Sequence, residues 1–161
     1  MIKPGVLDAL SLASIEEPIA YVTQNYDVRE FMLTFSSFIE ELFPETVKVD
    51  TADVRRGFIT VSLRGLAFFL RTIISSIIIH RNIDVKISAK EYAVCIDINY
   101  GNARIDLEKL ARIASSSGLF LESSEDGRAV FIIPITPCIN LKLYSISLDR
   151  FKYMLYDVFF S

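Results

Sequence analysis

The chain has 161 residues, of which 52% are hydrophobic and 23% charged. That is the composition of a folded domain with its own core and excludes a disordered segment. Its formal net charge is −3, from 17 basic and 20 acidic residues, and no basic block stands out, which argues against a nucleic-acid binder that grips backbone phosphate.

The first 25 residues mix Leu, Ala and Ser around a Glu16-Glu17-Pro18 break. They lack the apolar core of a signal peptide and read as a short helix and a connector, with the cytoplasm as the expected setting. Asp27 to Phe43 predicts a helix. Asp27 caps it, Glu30 stands three residues on, and Phe31, Phe35, Phe38, Ile39 and Leu42 recur at helical spacing until Pro44. Thr46–Asp50 and Phe58–Leu63 follow as short strands, linked through Arg55-Arg56-Gly57.

Leu63 to His80 is the most apolar stretch. Arg71, Thr72, Ser75 and Ser76 interrupt it, leaving pieces shorter than the ~18 residues a membrane span needs. Its β-branched run, Ile73-Ile74 and Ile77-Ile78-Ile79, favours a strand on propensity. Periodicity favours a helix: at about 100° per residue the four polar residues fall within roughly 140°, opposite Leu66, Phe69, Leu70, Ile73, Ile74 and Ile77. A buried helix is expected.

Ile83–Ser88 and Tyr92–Asn99 alternate apolar and polar residues and predict a hairpin across Ala89-Lys90-Glu91. Asp106–Ser117 predicts a helix between an Asp106 cap and a Gly118 stop. Leu119–Ser123 and Arg128–Ile135 predict a second hairpin about Glu125-Asp126-Gly127. In the tail, Ile139–Tyr144 reads as a strand and Ser147–Phe160 as an aromatic-rich amphipathic helix. Cys95 and Cys138 lie in apolar runs and are expected to be buried free thiols of a reducing compartment.

The expected fold class is α+β: a two-layer α/β sandwich, with a mixed, mostly antiparallel sheet covered on one face by helices. It divides into residues 1–26 as connector, 27–135 as the main unit, and 136–161 as a strand and helix packed on it, all in one globular unit.

Three stretches carry a resemblance. Leu70–His80 (LRTIISSIIIH), Ile96–Asn102 (IDINYGN) and Ser117–Ile135 (SGLFLESSEDGRAVFIIPI) occur in the order, and roughly at the spacing, of the ATP-binding domain shared by sensor histidine kinases, anti-sigma-factor kinases, DNA gyrase and heat-shock chaperone ATPases. The resemblance covers about Asp27 to Ile135 and implies that family's ATPase fold. The third stretch is the most persuasive and carries no chemistry.

The resemblance also says where a nucleotide would sit. His80, with Ser76 one turn earlier, corresponds to the family's magnesium-holding asparagine helix. Asn99 corresponds to the acid that reads the adenine amino group, Gly101 to the first glycine of the box, and Ala103 to the second. Each position departs from the pattern. Imidazole is a poor magnesium ligand, because that ion prefers oxygen. Asn99 can still accept a hydrogen bond from an amino group. Only Asn102–Ile105 separate Gly101 from the next helix, so the family's mobile lid is missing. Asp106 stands where a phosphate-facing glycine belongs, and its carboxylate repels a triphosphate.

Each of these residues also has a plainer reading. Asn99-Tyr100-Gly101 suit a tight turn, His80 a packed helix end, and Arg55, Arg56, Arg71 and Arg104 a solvated surface. One His and two scattered Cys cannot build a zinc site.

The sequence therefore points to a non-catalytic signalling or regulatory module with a degenerate ATPase fold, working through a protein partner or as a homodimer. Tyr153, Phe159 and Phe160 are its candidate contact residues. The alternatives are a weak adenine-nucleotide binder or divergent anti-sigma-factor-type kinase, and a structural, self-associating domain. ATP or ADP with magnesium belongs to the first alternative only.

Overall fold

The computed structural model describes residues 22–42, 47–51, 56–79, 83–138 and 157. The tail segments predicted over 139–160, most of the N-terminal connector, and Arg55 lie outside them. The described residues form the expected α+β sandwich. Its elements are β1 (Gln24–Asp27), α1 (Val28–Leu42), β2 (Val47–Asp50), β3 (Gly57–Val61), α2 (Leu63–Ile79), β4 (Asp84–Ala89), β5 (Ala93–Asn99), α3 (Leu107–Ser117), β6 (Phe120–Glu125) and β7 (Arg128–Pro137).

The strands join one mixed sheet in the order β1-β3-β7-β5-β4-β2, with β6 also on β7. The β2–β4 pair is parallel, and the other pairs are antiparallel. β7 is the longest strand. Arg128–Pro134 pair with β5, while β6 and then β3 take successive stretches of β7. β1 is a finding the sequence reading did not contain. Gln24–Tyr26 fall in the expected connector and Asp27 at the expected helix cap, yet all four pair antiparallel with Phe58–Val61. Four residues carry too short a pattern to announce a strand before their partner is known. β2 and β3, consecutive in sequence, lie far apart in the sheet, so their link does not close a hairpin.

Local chemistry explains the helices. The Asp27 Oδ1 accepts the Arg29 N–H at 3.3 Å and caps α1. Phe31, Met32, Phe35, Phe38 and Ile39 then share its buried face, with the Phe31 and Phe35 rings stacked at 5.7 Å. In α2 periodicity prevails over β-propensity. Leu66, Phe69, Leu70, Ile73 and Ile74 are buried, whereas Arg71, Thr72, Ser75 and Ser76 line the other side. The Thr72 and Ser76 hydroxyls donate to the carbonyls of Phe68 and Thr72, one turn back. The predicted strand to Leu63 stops at Val61 because Ser62 caps α2: its Oγ accepts the Gly65 N–H at 3.1 Å.

The core lies between the helices and one face of the sheet. Phe69 of α2 meets Phe131 of β7 edge-on at 4.9 Å, and Ile96 and Ile98 of β5 and Leu110 of α3 join the same cluster. Each such side chain contributes roughly 1.5–3 kcal/mol by leaving water. Tyr92, expected to share the face of Val94, Ile96 and Ile98, is instead exposed in the bend before β5.

One junction fixes α3 against α2. The Ser62 N–H donates to the Ser117 carbonyl at 2.9 Å, and the Ser117 hydroxyl donates to the Ile113 carbonyl at 2.7 Å. Both serines are buried. Gly118 follows at φ +96, and a Cβ there would lie 2.5 Å from the Thr60 carbonyl oxygen. Gly118→Ala is expected to lower the unfolding free energy by about 2–3 kcal/mol, through backbone strain and the clash together. Gly101→Ala, also at positive φ but with open space around the added methyl, is expected to cost about 1 kcal/mol. Urea unfolding of both variants measures the difference.

Candidate functional site

Among the described residues, two depressions are lined by chemically active side chains. They lie on opposite faces of the sheet, and they divide the residues that the resemblance grouped together.

The first is a groove of about 330 Å³ between α2 and the start of α3, lined by Phe68, Arg71, Thr72, Ser75, Ser76, Ile105, Asp106, Lys109 and Leu110. Of the sequence-predicted site residues that are described, Ser76 lines it. Arg71 is half-buried, with its guanidinium carbon 5.9 Å from the centre of the Phe68 ring. Its Nε and Nη1 are shut off from solvent and have no hydrogen-bond acceptor among the described residues. Burial holds the Arg71 pKa below its ordinary value. The group remains charged at any working pH, because arginine starts so high. Across the groove the Asp106 carboxylate accepts the Lys109 N–H at 3.0 Å and caps α3. The cap therefore occupies one of the amides that a helix start offers to an anion.

Asn99 lies elsewhere. Strand register decides this, because residues one apart on β5 point to opposite faces. Ile98 stands level with Val85 and Ala129 in the core, whereas Asn99 stands level with Asp84 and Arg128. With Lys48, Val85, Lys86 and Asp97 these residues line a depression of about 440 Å³. There Arg128 grips Asp97 with both prongs, Nε to Oδ1 at 3.0 Å and Nη2 to Oδ2 at 2.7 Å. The hydrogen bond and charge of Asp97 raise the Arg128 pKa.

Gly101 belongs to a turn. The Ala103 N–H donates to the Tyr100 carbonyl at 2.8 Å, closing Tyr100–Ala103. The N–H groups of Tyr100 and Gly101 both donate to the Gly127 carbonyl, at 2.8 and 3.0 Å. Gly101, at φ +52, thus ties the end of β5 to the β6–β7 hairpin tip. Beyond Ile98 it is Tyr100 that packs against the core, together with Ala103, Ile105 and Leu107.

His80, Tyr153, Phe159 and Phe160 lie outside the described residues. Arg56 and Arg104 are exposed, as the solvated-surface reading has them, but Arg71 departs from that reading. Its place in the polar sector of α2 was legible, but the closeness of α3, which buries it, was not. Lys109 and Asp106 complete the groove, and no spacing rule links either to Arg71. Cys95 is buried and Cys138 half-buried, both free. Burial pushes the Cys95 thiol up, Lys90 opposes this, and Glu122 and Asp97 add to it. No group of three or more His, Cys, Asp and Glu side chains converges among the described residues, and no helix among them is long and apolar enough to cross a membrane.

No protein-family model matches the chain, and no curated protein matches it. Among solved structures, the Acinetobacter baumannii histidine kinase AdeS is similar over 81% of this chain and 74% of that one, with 17% sequence identity and a TM-score of 0.45. That likeness is too loose for an assignment to rest on it.

The two buried nitrogens of Arg71 that lack acceptors among the described residues have a measurable consequence. Arg71→Met keeps much of the stem and removes the charge, so it is expected to raise stability by about 1 kcal/mol, since an apolar replacement for an unsatisfied buried polar group is neutral or favourable. Denaturant midpoints of the two proteins check the direction.

Proposed function

We propose that the chain is a non-catalytic regulatory module, built on a scaffold of the histidine-kinase ATPase type and acting by binding a protein. The carrying observation is the route from β5 to α3. The segment Tyr100–Asp106 turns once, packs Tyr100, Ala103 and Ile105 against the core, and enters α3 under a carboxylate cap. A nucleotide with magnesium fits this arrangement poorly. The base-reading position, Asn99, faces the other side of the sheet from Ser76. The helix start that would meet phosphates carries Asp106 instead. Among the described residues the groove's lining supplies one carboxylate, where magnesium between phosphates wants oxygen ligands in octahedral array.

The second reading, a weak adenine-nucleotide site, draws its support from Arg71, Lys109 and Ser76, which line one groove. The two readings part in a thermal-shift experiment with ATP or ADP, each with and without magnesium. A ligand at a hundred times its Kd adds about 2.7 kcal/mol, or roughly 5–10 °C in a protein of this size. The regulatory reading expects an unchanged melting temperature in all four mixtures. A magnesium-dependent rise of several degrees would overturn it in favour of the second.

A further inference from the structure

We infer that the α2–α3 groove is a carboxylate-recognition site, in which Arg71 takes an acidic side chain presented by a partner protein. This rests on the protein-binding reading above and gives it a chemistry.

Arginine is never uncharged in a protein, and a planar guanidinium matches a carboxylate through paired hydrogen bonds. Among the described residues, Nε and Nη1 of Arg71 have no acceptor and are closed off from solvent. Each shares an edge of the guanidinium with Nη2, so a carboxylate paired along either edge would supply one of the two missing acceptors. Buried polar groups nearly always have partners, so an exception marks a place where one is missing. The neighbours hold the group in position. Phe68 lies 5.9 Å beneath the guanidinium carbon, a distance at which a ring face attracts a cation.

The groove's charge selects among oxyanions. Among the described residues that line it, Arg71 and Lys109 are cations and Asp106 an anion, which together leave a single formal positive charge. That balance suits one carboxylate. A triphosphate would bring several negative charges beside Asp106, whose cap on the Lys109 N–H already occupies part of the helix start. Phe68, Ile105 and Leu110 supply the apolar part of the lining. The matching ligand is therefore an acidic side chain next to an aliphatic one on a peptide.

The test uses the full chain uniformly labelled with ¹⁵N and three probes: acetyl-leucyl-glutamyl amide, its glutaminyl counterpart, and ATP with magnesium. The expected result is a saturable shift of the Arg71 Nε–H and Lys109 backbone resonances with the glutamyl probe, and about tenfold weaker binding of the glutaminyl probe, which lacks the charge. Arg71→Lys keeps a positive charge without the fork and is expected to weaken the glutamyl probe about tenfold, read at the Lys109 amide. If that variant does not fold, the comparison of the two peptides on the unaltered chain decides. Resonances that stay put, or that respond equally to both peptides, overturn the carboxylate site and, with ATP inert, leave the regulatory reading standing. A magnesium-dependent ATP response at Arg71 and Lys109 overturns both.

Discussion

A single backbone hydrogen bond, from the Ser62 N–H to the Ser117 carbonyl, sets the geometry on which the rest depends. Ser62 begins α2 and Ser117 ends α3, so the bond joins the start of one helix to the end of the other. Both partners are buried, and a lost backbone bond there would leave polar groups without water. Gly118 is forced by the same arrangement. The chain must leave α3 in a left-handed conformation, and it passes so close to Thr60 that a methyl group has no room. With these ends fixed, the other ends of the two helices frame the groove. Arg71 and Ser76 from α2 and Asp106 and Lys109 from α3 meet there because the far junction is tied.

The sheet imposes a second constraint of a different kind. Its pleat assigns each β5 residue to one face, and the Ile96–Ile98 side is committed to the core. Asp97 and Asn99 then have to share the other face, where the Arg128–Asp97 pair crosses from β7 to β5. That pair is largely solvated, so its effect is more on local register than on stability. The residue that returns to the helix side is Tyr100. A tyrosine, half-buried against the core, occupies that position. Sequence alignment by motif counts residues along the chain and ignores which face they occupy. Asn99 can match a box by spacing and still lie on the face away from Ser76.

This explains what was legible in the sequence and what was not. The α1 helix announced itself through a cap and a phenylalanine repeat, α2 through the angular clustering of four polar residues, and the β6–β7 hairpin through its Glu-Asp-Gly turn. All are local signals, set by period or by turn chemistry. β1 and the distant placement of β2 were not legible, because strand pairing depends on contacts far along the chain. The groove falls between these cases. Each of its residues was visible, and Arg71 was even placed on the correct side of its helix, but its burial depends on α3, which starts more than thirty positions later. A polar residue on the outward sector of a helix looks like surface until the second helix is laid against it.

The state of Arg71 also bears on how such a groove could persist. A chain under selection for stability alone would have an apolar residue here, since burying part of a guanidinium without an acceptor opposes folding. Positions that break a local rule without an evident compensating contact are where function is found more often than elsewhere. Thr72 and Ser76, by contrast, satisfy their hydroxyls on carbonyls of their own helix, and Asp106 satisfies part of its carboxylate on α3. Against neighbours that settle their own hydrogen bonds locally, the arginine is the group that keeps two nitrogens unmatched among the described residues. Its electrostatic cost in the free protein is what a bound carboxylate would relieve, so the same atoms that weaken the fold would strengthen the complex.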